Sequence, residues 1–536
     1  MREYNVILKK DVDYDGFWND MESDTDGGNL YIPNRRVEFT NERIASLRQC
    51  WYLLTDEEAE QLKLDERVFD VEIPPEHRTD IIIGKRLTQF SDFTKTTSDS
   101  GSFVNWGLLR CSLSTNRYES GTGQPINTFY NYSLDGNGVD VVIQDSGLQV
   151  DHPEFQDALG NSRVQQINWA TVSGLAFTQN ANHYRDFDGH GTHVAGIACG
   201  KTYGWAKNAR VYAQKLSGLE GSGDSGTGIS ATYAFDAIKI WHRDKGIDST
   251  LGCKRPTVVN MSWGYLQPYD TVLSVTYRGN TFLTGSAVLD DFWRYTNAGL
   301  PSISGASIGY NYITNVRVSS VDTDIEEMID AGIVVCIAAG NRSHKIDVSS
   351  GADYNNNIVP DSGSVGTIYY HRGSSPYSTR AFIVGSLDYD TFDNTFDQKA
   401  TYSETGPGVN IWAPGTSIMS CTSNTNSWGA GSQNYYLNAS FKQTNISGTS
   451  MASPQVAGVA ALFLQANPTA SVSQVLTSIQ RKSTPLIYTG SNSASYTDLR
   501  ALHGSSNRHL FSPFSSTPSA LTFSGSFSIS ANIKFS

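Results

Sequence analysis

Ser447-Gly448-Thr449-Ser450-Met451-Ala452-Ser453-Pro454-Gln455-Val456-Ala457-Gly458 joins a tight turn to a run of small and apolar residues. Gly448 permits a sharp bend, and the run to Ala466 suits a buried helix. Thr449 or Ser450 is expected to cap that helix, with Pro454 near its first turn, where a missing N–H is tolerated. A serine at a helix N-terminus sits where developing negative charge is stabilised. Two other stretches extend the chemistry. Asp140-Val141-Val142-Ile143-Gln144-Asp145-Ser146-Gly147 reads as an apolar strand ending in a carboxylate and a turn. Asp188-Gly189-His190-Gly191-Thr192-His193-Val194-Ala195-Gly196 puts a histidine at the mouth of a second apolar helix. Asp145, His190 and Ser450 follow one of the chain orders known for a serine triad. Acyl transfer needs a nucleophile, a base, a group that orients the base and donors for the oxyanion. Types and order together place Ser450, His190 and Asp145 in the first three roles.

The elements that must position these residues alternate between strand and helix. Val139 to Gln144, Arg210 to Lys215, Thr257 to Met261 and Ile333 to Ala338 read as strands, and Ser230 to Arg243 as a helix. That alternation predicts an α/β fold with a doubly wound parallel sheet. Segments at about 265–320, 342–375 and 420–443 are rich in Ser, Asn, Gly and Tyr and read as surface loops or decorations. With 536 residues, 17% charged and 39% hydrophobic, the chain has room for a large core and more than one domain. No apolar run approaches the roughly 18 residues of a membrane helix. The net charge is −13, and residues 1–80 carry 20 acidic against 10 basic side chains, so the rest is nearly neutral. Nothing in that balance suggests a nucleic-acid surface. The six cysteines show neither metal spacing nor a dense disulfide framework, so mostly free thiols are expected.

At these motifs the chain resembles the subtilisin-like serine proteases, closest to the proteinase K branch. The resemblance implies that Ser450 attacks the scissile carbonyl, His190 moves the proton and Asp145 orients the imidazole. It adds Ala338-Ala339-Gly340-Asn341, where Asn341 would donate to the oxyanion beside the backbone N–H of Ser450. Ser262-Trp263-Gly264 and Gly221-Ser222-Gly223 would be the two edges that pair with a peptide substrate. Ser262 to Gly264 and Ala338 to Gly340 would wall a neutral primary pocket, with Trp263 bulkier than the leucine usual there. His193, one turn beyond His190, reads as a packed residue, and Asp188 as a turn residue. No cofactor is implied for the chemistry. A structural calcium is left open: Asn410 stands where the family has a calcium-binding aspartate, and Asp388, Asp390 and Asp393 offer another loop.

Residues 1–78 resemble the inhibitor-type propeptide of this family on Leu54 to Glu60 followed by Arg67-Val68. That implies an α+β, ferredoxin-like module that assists folding and lays its C-terminal segment in the cleft as an inhibitor. Asp11, Asp13, Asp15 and Gly16 with Glu22 also fit a calcium-loop pattern, but they follow a strand rather than an entering helix, and a capped acidic helix start explains the same residues. The expected organisation is therefore a propeptide at 1–78 and a linker with a maturation site at 79–102. A catalytic body at about 103–510 and a tail at 511–536, drawn as a hairpin, complete it. The partners implied are a peptide or protein substrate and the chain's own propeptide, with neither nucleic acid nor membrane. An assembly partner would engage the insertions or the tail. Met1 to Asn5 starts a strand rather than a leader, so a cytoplasmic or particle-associated protein is expected unless a leader was removed. A scaffold that keeps a protease fold is the competing reading, and the filled catalytic positions argue against it.

Overall fold

The structure is a computed structural model. It describes residues 1–22, 31–43, 45–78, 80–85, 105–112, 132–269, 272–283, 312–361, 366–392, 396–490 and 498–515. The expected maturation stretch Thr94 to Ser102, the hairpin drawn for the tail, and Asp393 lie outside the described residues.

Val141-Val142-Ile143 and Val258-Val259 are apolar without alternation, which suits strands covered on both faces. They form the centre of a seven-stranded sheet. Its order is Phe396–Lys399, Phe382–Phe392, Val334–Ala338, Thr257–Met261, Asp140–Asp145 and Arg210–Lys215, with Ile411–Pro414 also paired to Phe382–Phe392. Every pairing is parallel except that of Phe396–Lys399. The α/β class expected from the alternation is the class found. Helix His190–Cys199 packs on helix Thr449–Ala466, and Ala231–Asp244 on Ser319–Asp330. Val456, Val459 and Leu462 are buried, as a helix at the centre of a core requires. Among the described residues, no helix is long and apolar enough to cross a membrane. All six cysteines are free thiols.

The N-terminal module has its own antiparallel sheet, ordered Glu38–Glu42, Gln49–Leu54, Arg2–Leu8, Val68–Glu72. Helices Tyr14–Glu22 and Asp56–Leu62 pack on it over a separate core that includes Val6, Phe17, Tyr52 and Leu54. The chain order of strand, helix, strand, strand, helix, strand is ferredoxin-like. Thr55 and Glu58 close a reciprocal cap on the second helix. At the first helix, Asp13 accepts from the Gly16 amide at 2.9 Å and Glu22 accepts from the Tyr52 hydroxyl at 2.8 Å, so these acids act as cap and partner.

Two sequence expectations are corrected. The long segments read as loops carry paired strands. Trp263–Tyr269 pairs with Tyr312–Asn315, Val272–Tyr277 with Asn280–Leu283 and Asn357–Pro360, and Ile418–Thr422 with Asn438–Ile446. Val275, Ile358 and Tyr370 form a small core among them. Second, strand Ile82–Lys85 occupies the stretch read as linker. It pairs antiparallel with the body, Lys85 opposite Trp263 and Ile82 opposite Leu266.

The module docks on the two helices Ala231–Asp244 and Ser319–Asp330. Arg43 is buried and forks onto Asp236 at 2.7 and 2.9 Å, with a third bond to Asp324 at 2.8 Å. Burial opposes the guanidinium charge, but Asp236 and Asp324 outweigh it and hold Arg43 above its ordinary value. Glu72 accepts from the Ser319 and Ser320 amides, and Glu76 from the Thr232 amide, so each helix start receives a module carboxylate.

Deleting one partner of a buried ion pair costs about 3–5 kcal/mol. Arg43→Ala in the full chain, with Ser450→Ala to keep it whole, is expected to lower the urea midpoint. Arg2→Ala, at the exposed Arg2–Asp56 pair, should leave it in place. Burial, then the charge of Asp70, raises the Glu72 carboxyl to about 7. A raised carboxyl favours the docked form at low pH. That contribution fades as pH climbs from the ordinary 4.5 through about 7 and is flat above. Hydrogen exchange at the Ser319–Asp330 amides should quicken across that window, and Glu72→Gln should flatten the change.

Candidate active site

Three neighbouring parallel strands end at one edge of the sheet. Asp145 closes the first, Ser262 follows the second and Asn341 lies just beyond the third. The carboxyl edge of such a sheet is where side chains from separate strands converge. His190 opens its helix there, and Ser450 is the second residue of the helix Thr449–Ala466.

His190 Nδ1 and Asp145 Oδ1 lie 2.7 Å apart, both residues being 1% exposed. The Ser146 amide also donates to Asp145 Oδ1, at 2.7 Å. The other imidazole nitrogen, Nε2, is buried and makes no hydrogen bond among the described residues. The Ser450 hydroxyl donates to the Ser262 carbonyl at 3.2 Å, and the Ser262 hydroxyl donates back to the Ser450 carbonyl at 3.0 Å. That second bond corrects the expectation for Pro454, which sits inside the helix, four residues after Ser450. Proline has no N–H to give the Ser450 carbonyl, and Ser262 supplies the missing donor. Asn260 supports Ser262 from its side amide at 2.9 Å, and Ser453 donates to Asn260 at 2.8 Å.

The cap is also corrected. Gly448 holds the N-cap position and offers no side chain. The Thr449 amide and hydroxyl both donate to Asn341 Oδ1, each at 2.8 Å. Asn341 therefore caps the helix from outside, and its side-chain carbonyl oxygen is fixed on Thr449. The amide nitrogen is the opposite end of that planar group.

Trp263, Gly264, Tyr265 and Leu266 pair with Lys85, Gly84, Ile83 and Ile82, so Trp263 and Gly264 of the expected edge lie beside an extended strand of the chain itself. The Trp263 ring is buried against Phe235 and Tyr265, with centroids 6.3 and 5.8 Å away. Gly221-Ser222-Gly223 forms a turn, and no strand pairs with it among the described residues. Gly221 lies against the Phe187 and Asp188 backbone, where a Cβ would come within 2.3 Å. Ala338, Ala339 and Gly340 follow Ile337 and are buried. Sequence reasoning missed Glu404 beside them. Its amide donates to the Gly340 carbonyl, and its carboxylate accepts from Asn315 Nδ2 at 2.7 Å and the Arg342 amide at 3.3 Å.

His193 is packed, as expected. Its Nε2 lies 3.1 Å from the Ile418 and Thr444 carbonyls, and burial pushes the imidazole down to about 3. Asp188 accepts from the His190 amide at 3.2 Å. Asn410 bridges two backbone groups, accepting from Ile383 and donating to Ala381, a pairing that uses both ends of an amide. Burial, then Asp390, raises Asp388 to about 6. Among the described residues, no group of three or more His, Cys, Asp or Glu stands ready for a metal ion.

The profile of the subtilase family, peptidase S8, matches residues 136–505, and the chain belongs to that family. It is a subtilisin-like serine proteinase. It is similar to the extracellular serine proteinase of Thermus sp. (strain Rt41A), 26% identical over 442 residues, 82% of this chain and 72% of that protein. Proteinase R of Parengyodontium album is 26% identical over 366 residues, covering 67% of this chain and 60% of its own length. Alkaline serine exoprotease A of Vibrio alginolyticus is matched over 48% of its length, so the chain spans about half of some relatives. Fervidolysin from Fervidobacterium pennivorans, described as a keratinolytic enzyme related to subtilisin, shares the fold with a TM-score of 0.50. It is 16% identical, over 94% of this chain and 60% of that one.

Removing an oxyanion donor lowers turnover by about 10²–10³-fold. Asn341→Ala is expected to lower kcat by that order with KM little changed, measured on a fluorogenic peptide after release of the module.

Proposed function

We propose that the chain is a serine endopeptidase made as a self-processing precursor. The Asp145–His190 contact of 2.7 Å, at the sheet edge that also carries Ser450 and Asn341, is the observation that carries this. The Ser450 hydroxyl turns from the Ser262 carbonyl toward His190 Nε2, gives up its proton and attacks the substrate carbonyl. Asp145 holds the imidazole tautomer and the charge it gains. The oxyanion is met by the Asn341 side chain and the Ser450 amide. His190 returns the proton to the leaving amine, and water repeats the cycle on the acyl-enzyme. Each step falls to a side chain or amide of this chain.

The N-terminal module acts as inhibitor until cut. Support comes from strand Ile82–Lys85, which lies on Trp263–Leu266 and runs toward the nucleophile. Lys85 pairs with Trp263, and the next residue back, Ser262, holds the Ser450 hydroxyl. An extended chain advances by about 3.3 Å per residue. The cut therefore falls at the first peptide bonds beyond Lys85 in the sequence Lys85-Arg86-Leu87, ahead of Thr94 to Ser102.

Intact mass of purified wild type and Ser450→Ala, with N-terminal sequencing, tests this. Wild type should lose the residues up to Lys85 or Arg86 while Ser450→Ala stays whole. A cut within 94–102 would move the maturation site but keep the precursor. If both chains stay whole, and wild type ignores a fluorophosphonate after mild proteolysis beyond Lys85, the chain is not a working protease.

A further inference from the structure

The structure assigns Asp186 as a positioning residue: one buried carboxylate pins the His190 helix to the strand end that carries Asp145, and so sets the alignment of the imidazole. This rests on the roles proposed above for Asp145 and His190. Asp186 is 5% exposed. Its Oδ1 accepts from the Gly189 amide at 2.7 Å, the Ser146 hydroxyl at 2.9 Å and the Asp188 amide at 3.2 Å. Its Oδ2 accepts from the Thr192 amide at 2.8 Å and the Thr192 hydroxyl at 2.6 Å. Gly189 and Thr192 bracket His190, while Ser146 directly follows Asp145. One carboxylate therefore grips both halves of the pair.

Ser146 joins the two grips. Its hydroxyl accepts from the Gly191 amide at 2.8 Å, and its own amide donates to Asp145 Oδ1. Slack at this junction is small, since a Cβ on Gly191 would stand 2.1 Å from the Gly147 carbonyl. Among the described residues, no cation pairs with Asp186. Burial, then the charge of Asp188, raises the Asp186 carboxyl above its ordinary range, and the neutral donors to both oxygens oppose that rise. A turn alone does not require a carboxylate at this point, because an asparagine can fill an Asx turn. An asparagine cannot accept on both sides: its NH₂ would face either Thr192 or the Gly189–Ser146 pair, donor against donor. A carboxylate that accepts at both oxygens is thus suited to holding helix and strand end together. A shift of about 1 Å in a catalytic group can lower turnover by about 10²-fold.

The test uses the wild-type enzyme after release of the module, beside Asp186→Asn and Ser146→Ala. Asp186→Asn is expected to lower kcat by about 10²-fold, with KM within about threefold. Ser146→Ala, which removes only the bridge, should lower kcat less and in the same direction. If Asp186→Asn does not fold, Ser146→Ala carries the decision alone. In both variants the acid limb of the kcat/KM profile should move, and the downfield proton of the Asp145–His190 bond should shift or be lost. In an Asp145→Ala background, Asp186→Asn should lower kcat by less than about twofold, since no pair remains to align. Full independent losses in that background, equal loss through KM and kcat, or an unmoved ring proton would each overturn the assignment. A kcat for Asp186→Asn within about twofold of wild type would overturn the assignment alone and leave the protease function standing. A wild type that turns nothing over would overturn the protease function itself and this assignment with it.

Discussion

Three parallel strands, Asp140–Asp145, Thr257–Met261 and Val334–Ala338, are locked side by side, and the site is built on their ends. Residues far apart in the chain reach one edge because these strands run in register. Val141 pairs with Val258, and Val258 with Val334. The interior side chains are apolar and close-packed, so the strand ends cannot slide against each other without opening the core. Asp145, Ser262 and Asn341 inherit that rigidity. The helix of Ser450 then sits on the same frame, tied by Asn341 at its first turn and by Ser262 at the carbonyl freed by Pro454. A frame of this kind fixes the groups at its edge so that they need not reorganise.

Polar groups in the site are few and mostly shared. Ser262 serves Ser450 twice, Asn341 serves Thr449 twice, and Asp186 serves elements on either side of the Asp145–His190 pair. Buried polar atoms are expensive unless satisfied, so each such group acts through fixed hydrogen bonds. His193 shows the contrast. It is one turn from His190, but burial keeps it neutral among backbone carbonyls, and its ring nitrogen meets those carbonyls instead of a carboxylate.

The N-terminal module meets the body through buried charged groups. Its own core is separate, and Arg43, Glu72 and Glu76 reach acids or helix starts on the other side. Such contacts are directional and depend on both partners being desolvated together. An association of this kind specifies orientation well, which is what a strand such as Ile82–Lys85 needs to lie in register on Trp263–Leu266.

Features whose chemistry is local could be read from the chain alone. Asp145, His190 and Ser450 stand in short motifs whose residue types suit a triad, and Asn341 was marked by the family resemblance. Four strands of the central sheet, at 140–145, 210–215, 257–261 and 334–338, were legible because their runs are largely apolar and both faces are buried, whereas Phe382–Phe392, Phe396–Lys399 and Ile411–Pro414 were not read. Whatever depends on partners distant in the chain emerged with the folded arrangement. Val272–Tyr277 looks like a loop until Asn357–Pro360 completes its ladder. Ile82–Lys85 reads as linker because its partner strand begins at Trp263. Pro454 looks harmless at a first turn, and only folding shows that Ser262 must replace its donor. Asp186 carries no signal of its own until the fold brings Ser146 to it. Backbone pairing and buried hydrogen bonds are properties of two segments at once, and one segment's composition carries no record of the other.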